Sequence, residues 1–285
     1  MVFAFLPTAV LMVVSLILIF AGGLVAAIEP YSMWLLSAVM IAIGAACVMI
    51  SIKASGRLYK NSMLMCSENF DKWYTAQRKI AVSSFGGYKI SVLLNTIYGM
   101  CIHERFEKAS MILAETKPLV QASGNAYYKY CYLMQLISVK EKTGDNAYIS
   151  DLFSEAFQNL ELAKIPKSDK KSAHILRYKC SRLEYEFYRS DPQKLNSELR
   201  ILTKQFNEAA KECVSLIDGL AGDIGYEMLA YSCNIAVSDL MLDKKDEAEM
   251  ILRNIASCKC DFPLVNRARK YILTKDILVL FSAVP

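Results

Sequence analysis

The stretch MLDKKDEAEMILRNI, residues 241–255, carries the signature of a helical hairpin. Its polar segment DKKD (243–246) reads as a turn. Behind it, Ala248, Ile251, Leu252 and Ile255 fall at i, i+3, i+4 and i+7, so four apolar side chains share one face of an α-helix. Three more polar turns lie between amphipathic segments: HERF (103–106), TGDN (143–146) and RSDP (189–192). Successive turns begin 40, 46 and 54 residues apart, intervals of the size found in helical repeat arrays. The pattern predicts about four helical hairpins in sequence.

Working outward, Leu176, Cys180, Leu183 and Phe187 recur at i, i+4, i+7 and i+11, and Leu195, Leu199, Leu202 and Phe206 repeat those offsets. Each set makes one apolar stripe. Period-two alternation is rare after residue 52, so the fold class expected is all-α. Residues 57–87 read as a connecting or capping helix, with Phe70, Trp73, Tyr74 and Gln77 on one face and Gly86 and Gly87 at its end. The apolar end ILVLFSAVP (277–285) is too short to span a membrane. It is expected to fold back on the last hairpin, because a terminal repeat normally presents a polar outer face; an exposed partner-binding patch is the other reading.

The hairpin at 241–255 resembles the turn and second helix of a tetratricopeptide repeat, with Ala248 where that family places a small residue. IHERFEKASMILAETKP (102–118) is similar through Phe106, Ala109 and Pro118. The turns followed by Tyr148 and Asp151 and by Leu195 lack the family's large–small pattern. No unit keeps its tryptophan or its 34-residue length. The resemblance covers roughly residues 88–260. It implies an α-solenoid over residues 88–285, with a concave surface that binds a protein or peptide partner.

Residues 1–52 have another texture. Glu29 is their only charge, and it separates uncharged runs over 2–28 and 31–52. Each run exceeds the roughly 20 apolar residues that cross a bilayer as a helix. Pro30 interrupts helical hydrogen bonding, and Tyr31 and Trp34 suit the headgroup level. Residues 1–56 therefore read as a two-helix transmembrane anchor turning at IEPYS. Small residues at four-residue spacing (Gly22 and Ala26, Gly23 and Ala27, Ala38, Ala42 and Ala46) suit close packing of the two helices in lipid. Neither run holds an ionisable residue at mid-depth, which argues against a channel or pump built from the hairpin alone. Lys53, Arg57 and Lys60 follow the second run closely, which places both termini and the C-terminal domain in the cytoplasm, at the plasma membrane. A signal peptide ending at VAA would have a charged start and a shorter apolar run.

Residues 53–285 carry 33 basic and 27 acidic residues, a net of +6 over 233 positions. That falls short of the basic stripe of a nucleic-acid binder, and no nucleic acid is expected. Nine cysteines, an odd number at irregular spacing, form no disulfide framework in a reducing compartment. Cys258 and Cys260 lack the second pair a structural zinc site needs. His103 is expected to be an exposed turn residue, SSFGGY lacks the lysine of a phosphate loop, and Glu184 and Glu186 read as a solvated helix face. No catalytic residue, cofactor or metal ligand is therefore expected, and the chain does not read as an enzyme.

One surface feature remains. NAYYKYCYLMQ (125–135) and RYKCSRLEYEFYR (177–189) concentrate tyrosine and arginine, the residues that anchor protein interfaces. Tyr128, Tyr132, Tyr178, Arg182, Tyr185 and Arg189 are the candidate partner-binding residues. Packing between repeats is the other reading of the same residues. The function expected is a membrane-anchored adaptor or scaffold. The alternative is a non-catalytic subunit of a larger membrane transport or envelope-synthesis complex, in which the hairpin packs against other spans.

Overall fold

The computed structural model describes residues 17, 38–39, 41–46, 69–165, 168–187, 190–214 and 221–281. It is 85% helical and no strand occurs among the described residues, so the all-α class holds. The chain divides into two compact units, Met1–Leu64 and Met65–Pro285. In the first unit the described residues are helical, and Ile17, Val39, Ile41 and Ile43 are exposed. Both predicted spans and the turn between them fall almost wholly outside the described residues. Among the described residues no helix is long and apolar enough to cross a membrane.

The second unit contains ten helices among the described residues: α1 (Phe70–Ser83), α2 (Gly86–Ile102), α3 (Phe106–Ser123), α4 (Ala126–Thr143), α5 (Ile149–Leu162), α6 (Ser168–Phe187), α7 (Pro192–Val214), α8 (Ala221–Met241), α9 (Lys245–Ala256) and α10 (Pro263–Thr274). A 3₁₀ turn, Ile277–Leu280, follows. The four turns read from the sequence join α2 to α3, α4 to α5, α6 to α7 and α8 to α9, and each of these pairs packs together. Helix α4 also packs on α2, and α10 on α8.

Three of the turns close in the same way. Glu104, Gly144 and Asp243 adopt left-handed backbone with φ of 56°, 77° and 60°. The residue after each donates its N–H five positions back, Arg105 to Met100, Asp145 to Lys140 and Lys244 to Asp239. This is the Schellman arrangement, which satisfies carbonyls that the helix end leaves open. Five residues past Glu104 and five past Asp243 stand Ala109 and Ala248, both without exposed surface. Helix starts are equally local: the Asn125 side chain accepts from the N–H groups of Tyr127 and Tyr128, and Asp191 accepts from Lys194 N–H at 2.9 Å. Pro118 lies inside α3, which continues to Ser123.

The two apolar stripes meet as expected. Cys180 and Leu183 of α6 pack with Leu195, Leu199 and Phe206 of α7 and with Tyr231 and Ile235 of α8, in one buried cluster. Helix α1 buries Phe70 and Trp73 and packs on α2. There the ring of Trp73 lies so close to Gly99 that an added Cβ would come within 2.2 Å of it. The 3₁₀ turn folds back on α10 and α8 with Leu280 buried, as predicted for the apolar end, and residues 282–285 lie outside the described ones.

His103 departs from its sequence reading. Its ring stacks on Phe70 with centroids 3.8 Å apart and meets Phe262 edge-on at 5.7 Å. A turn residue is covered here because α1 and the loop before α10 converge on it. The turn of the first hairpin thereby touches the loop that follows the last hairpin, and the row of helices curves back on itself. Sequence spacing within one hairpin carries no trace of that closure.

Candidate functional site: the inner cavity

The curvature brings one face of α2, α4, α6, α8 and α10 around a cavity of about 580 Å³, with the 3₁₀ turn at its edge. On α6, Arg177, Ser181 and Glu184 point inward at i, i+4 and i+7. On α8, Glu227, Tyr231 and Asn234 repeat that spacing, and on α4 the inward set is Gln135, Ser138 and Lys142 with Glu141 beside it. Helices α4, α6 and α8 thus each present a polar stripe, whereas α2 contributes Tyr98, Cys101 and Ile102 and α10 contributes Leu264 and Arg267. The odd-numbered helices form the outer layer and contribute little to the wall.

Arg177 organises one end of the cavity. Its Nη2 lies 2.9 Å from Glu227 Oε1, and its guanidinium carbon sits 5.3 Å from the centre of the Tyr98 ring. Tyr98 and Tyr231 both donate their hydroxyls to Glu227, at 3.3 and 2.8 Å. Burial opposes the charge on Arg177, but the Glu227 carboxylate and the surrounding phenols outweigh it and hold the guanidinium pKa above its ordinary value. Tyr226 packs edge-on against both Tyr98 and Phe262. A second ion pair, Arg267 with Glu104, links α10 to the turn after α2. These contacts join the ends of the helical row across the cavity.

The other end is acidic. Asn234 Nδ2 donates to Glu184 Oε1 at 2.7 Å. Burial nevertheless pushes the Glu184 carboxyl up to about 7, against the lowering effects of Asn234 and Lys142. Burial, reinforced by the charge of Glu184, pushes Glu141 up to about 8. The sequence reading of Glu184 as part of a solvated face is therefore corrected, since it faces the cavity. Glu186 is exposed and pairs with Arg182 at 2.7 Å, and it too borders the cavity.

Nucleophilic chemistry is disfavoured at the two cavity thiols. Burial pushes Cys101 up to about 12 and Cys233 up to about 11, so both stay protonated at neutral pH, and the thiol is the unreactive form. Among the described residues, no group of three or more His, Cys, Asp and Glu side chains could hold a metal ion.

The six residues singled out from the sequence do not form one patch. Tyr128 lies against Gly87 and Ser91 of α2. Tyr132 and Tyr178 are buried. Tyr178 packs on Phe153 and Phe157 of α5, and Tyr185 packs on Phe153 while also lining the cavity. Arg182 is exposed and donates to Tyr178 and Glu186. Arg189 lies outside the described residues. Helix α6 therefore uses three faces: apolar toward α7, aromatic toward α5 and polar toward the cavity. Arg177, Glu227 and Tyr98 were not singled out. The available signal was the polar stripe at i, i+4 and i+7 shared by alternate helices.

Comparison with family models, with curated proteins and with solved structures finds no match to this chain.

Proposed function

We propose that the chain is a membrane-anchored adaptor, without enzymatic activity, whose tetratricopeptide-like helical unit receives a segment of a partner protein in its inner cavity. One observation carries this reading: α4, α6 and α8 each turn a polar stripe toward a single concave space of about 580 Å³, to which α2 adds Tyr98 and α10 adds Arg267. That volume lies within the range of binding pockets, about 300–1,000 Å³. The wall offers charged and hydrogen-bonding groups from different hairpins and no evident nucleophile, which suits recognition better than reaction. The exposed aliphatic side chains Ile17, Val39, Ile41 and Ile43 of the first unit suit contact with lipid. With the two uncharged runs around Glu29, they support an integral anchor of two spans with both termini in the cytoplasm.

The test is co-purification of the full chain in mild detergent, alongside a variant whose cavity is filled. Ser181 lines the cavity and is half-buried, so Ser181→Trp obstructs the space. A soluble partner recovered with the parent chain and lost with Ser181→Trp, while the helical circular-dichroism spectrum is kept, is the expected outcome. Partners recovered equally with both chains would remove the cavity from the adaptor reading and favour the membrane-complex subunit.

A further inference from the structure

Charge in the inner cavity is paired at one end and left over at the other. Arg177 is matched by Glu227 and Arg267 by Glu104, so the charge of each guanidinium is balanced. At the opposite end the carboxyls of Glu141 on α4 and Glu184 on α6 line the wall with Lys142 acting on both, while Glu186, which also borders the cavity, is paired with Arg182. Glu184 accepts from Asn234, whereas Glu141 makes no hydrogen bond or ion pair with the described residues. Two further wall residues carry unused groups. Gln135, only 9% exposed, donates through Nε2 to the Leu94 carbonyl at 2.9 Å, but its Oε1 has no donor. Arg267 Nε is buried without an acceptor. Buried polar groups are ordinarily satisfied. A wall with one open acceptor, one open donor and a surplus carboxylate matches a peptide backbone, which offers both N–H and C=O, bearing a cationic side chain.

We infer that the inner cavity binds a basic peptide segment, with one lysine or arginine side chain seated between Glu141 and Glu184. The inference rests on the peptide-binding reading above and gives that peptide its chemistry. An acidic peptide is disfavoured because it meets two carboxyls and two neutralised guanidiniums. A basic residue instead offers the charge-assisted hydrogen bonds that Glu141 lacks. Seating it also requires both carboxyls to ionise. Glu141 is held up to about 8 and Glu184 to about 7 by burial, so binding releases protons and tightens as the pH rises from 6 to 9. The other charged and titratable groups lining the cavity are Lys142 on α4, Arg177, Tyr185 and Glu186 on α6, Tyr226, Glu227, Tyr231 and Cys233 on α8, Arg267 on α10, Tyr98 and Cys101 on α2, and Glu104 in the turn after it. Burial pushes the Cys233 and Cys101 thiols up to about 11 and about 12. Free Lys, Arg and Tyr side chains titrate near 10 or above, so the carboxyls govern that interval.

The experiment selects binders from a random heptapeptide library on the full chain in mild detergent. Selected peptides are then measured against Glu141→Gln, Glu184→Gln, Ser181→Trp and the exposed control Glu161→Gln. Expected are peptides with lysine or arginine at one fixed position. Each cavity glutamine variant should weaken them at least tenfold and flatten the pH dependence, while Glu161→Gln leaves both unchanged. Both cavity variants remove an unfavourably buried charge, and their retained melting temperature separates lost binding from lost folding. Peptides lacking a basic residue yet displaced by Ser181→Trp would overturn the cationic seat and leave peptide binding intact. A selection yielding no peptide sensitive to Ser181→Trp would overturn both.

Discussion

Arg200 reaches from α7 to place Nη2 2.6 Å from Oδ2 of Asp239 on α8, a carboxylate with no exposed surface. Asn196 Nδ2 donates to the other oxygen at 2.8 Å, and Glu247 of α9 lies 3.1 Å from the same arginine nitrogen. Three helices are tied to one buried acid. Removing one partner of a buried ion pair costs about 3–5 kcal/mol. Arg200 is itself 40% exposed, and water screens such a pair, so Arg200→Met is expected to cost about 2 kcal/mol. The check is the urea midpoint of the full chain in mild detergent. A loss below about 0.5 kcal/mol, the usual range for a surface change, would show that Asn196 alone suffices for Asp239.

Gly99 faces the Trp73 ring at a distance no Cβ tolerates. Replacing a helical glycine by alanine ordinarily gains up to about 1 kcal/mol. Here the methyl must displace a tryptophan that is only 2% exposed, and overpacking costs about 1–3 kcal/mol. The second effect wins, so Gly99→Ala should lower the melting temperature. A rise would mean that α1 shifts freely on α2. Gly124, with φ of 59° and no atom within 4 Å of an added Cβ, tests a different cause, backbone strain alone.

Ala248 provides the matching test at the opposite end of the array. It has no exposed surface in the α8–α9 hairpin. Ala248→Leu should cost about 1–3 kcal/mol by overpacking, whereas Met250→Leu, at a site 65% exposed on the same helix, should stay within about 0.5 kcal/mol. Equal melting shifts from the two substitutions would remove Ala248 from the helix contact.

These positions mark what the sequence discloses and what it does not. The stripes Leu176–Phe187 and Leu195–Phe206 meet in one cluster because a 3.6-residue period dictates which side chains a single helix buries. The four turns were legible because polar segments interrupt those periods. The close approach of Trp73 to Gly99 and the stacking of Phe70 on His103 depend on packing between separate helices, which no local period encodes. The cavity was obscured for a related reason. An inner helix such as α6 carries polar residues both on its exposed side and toward the cavity, so its stripe of Arg177, Ser181 and Glu184 looks like a solvated face until curvature turns it inward. The tyrosines of α4 and α6 admit two readings from the sequence, because tyrosine suits both interfaces and packing between helices. The contacts of Tyr178 with Phe153 and Phe157 show the second use.

The proposed topology makes an independent prediction for the N-terminal residues. Lys53, Arg57 and Lys60 belong on the cytoplasmic side by the charge bias of flanking loops. A Ser32→Cys variant, in a background without reactive native thiols, should then react with a membrane-impermeant maleimide on intact cells, and Asn61→Cys should not. The reverse labelling pattern would invert the anchor. Labelling of both positions would mean that the hairpin does not keep them on opposite sides of the membrane.

Glu141 and Glu184 carry a signed pH dependence of stability. Both carboxyls ordinarily titrate near 4.5, and burial in the folded chain pushes them up to about 8 and about 7. Between those limits the folded chain holds protons that the unfolded chain has released, so this contribution favours folding at low pH and falls as the pH rises. It is fully present below pH 4.5 and gone above about 8. Each unit of difference corresponds to about 1.4 kcal/mol, and water at the half-exposed cavity wall screens much of it, leaving about 1–2 kcal/mol. Glu141→Gln keeps the shape of the side chain and removes the titration. It should raise the melting temperature of the ligand-free chain at pH 8.5 and leave it nearly unchanged at pH 4.5, with Glu184→Gln giving a smaller rise because the variant weakens the contact with Asn234 at 2.7 Å. A gain at pH 4.5 equal to that at pH 8.5 would mean that Glu141 is strained by shape rather than by charge. A loss at pH 8.5 would mean that its carboxylate is already neutralised in the folded chain, and the seat between Glu141 and Glu184 would then have no unbalanced charge to offer a basic residue.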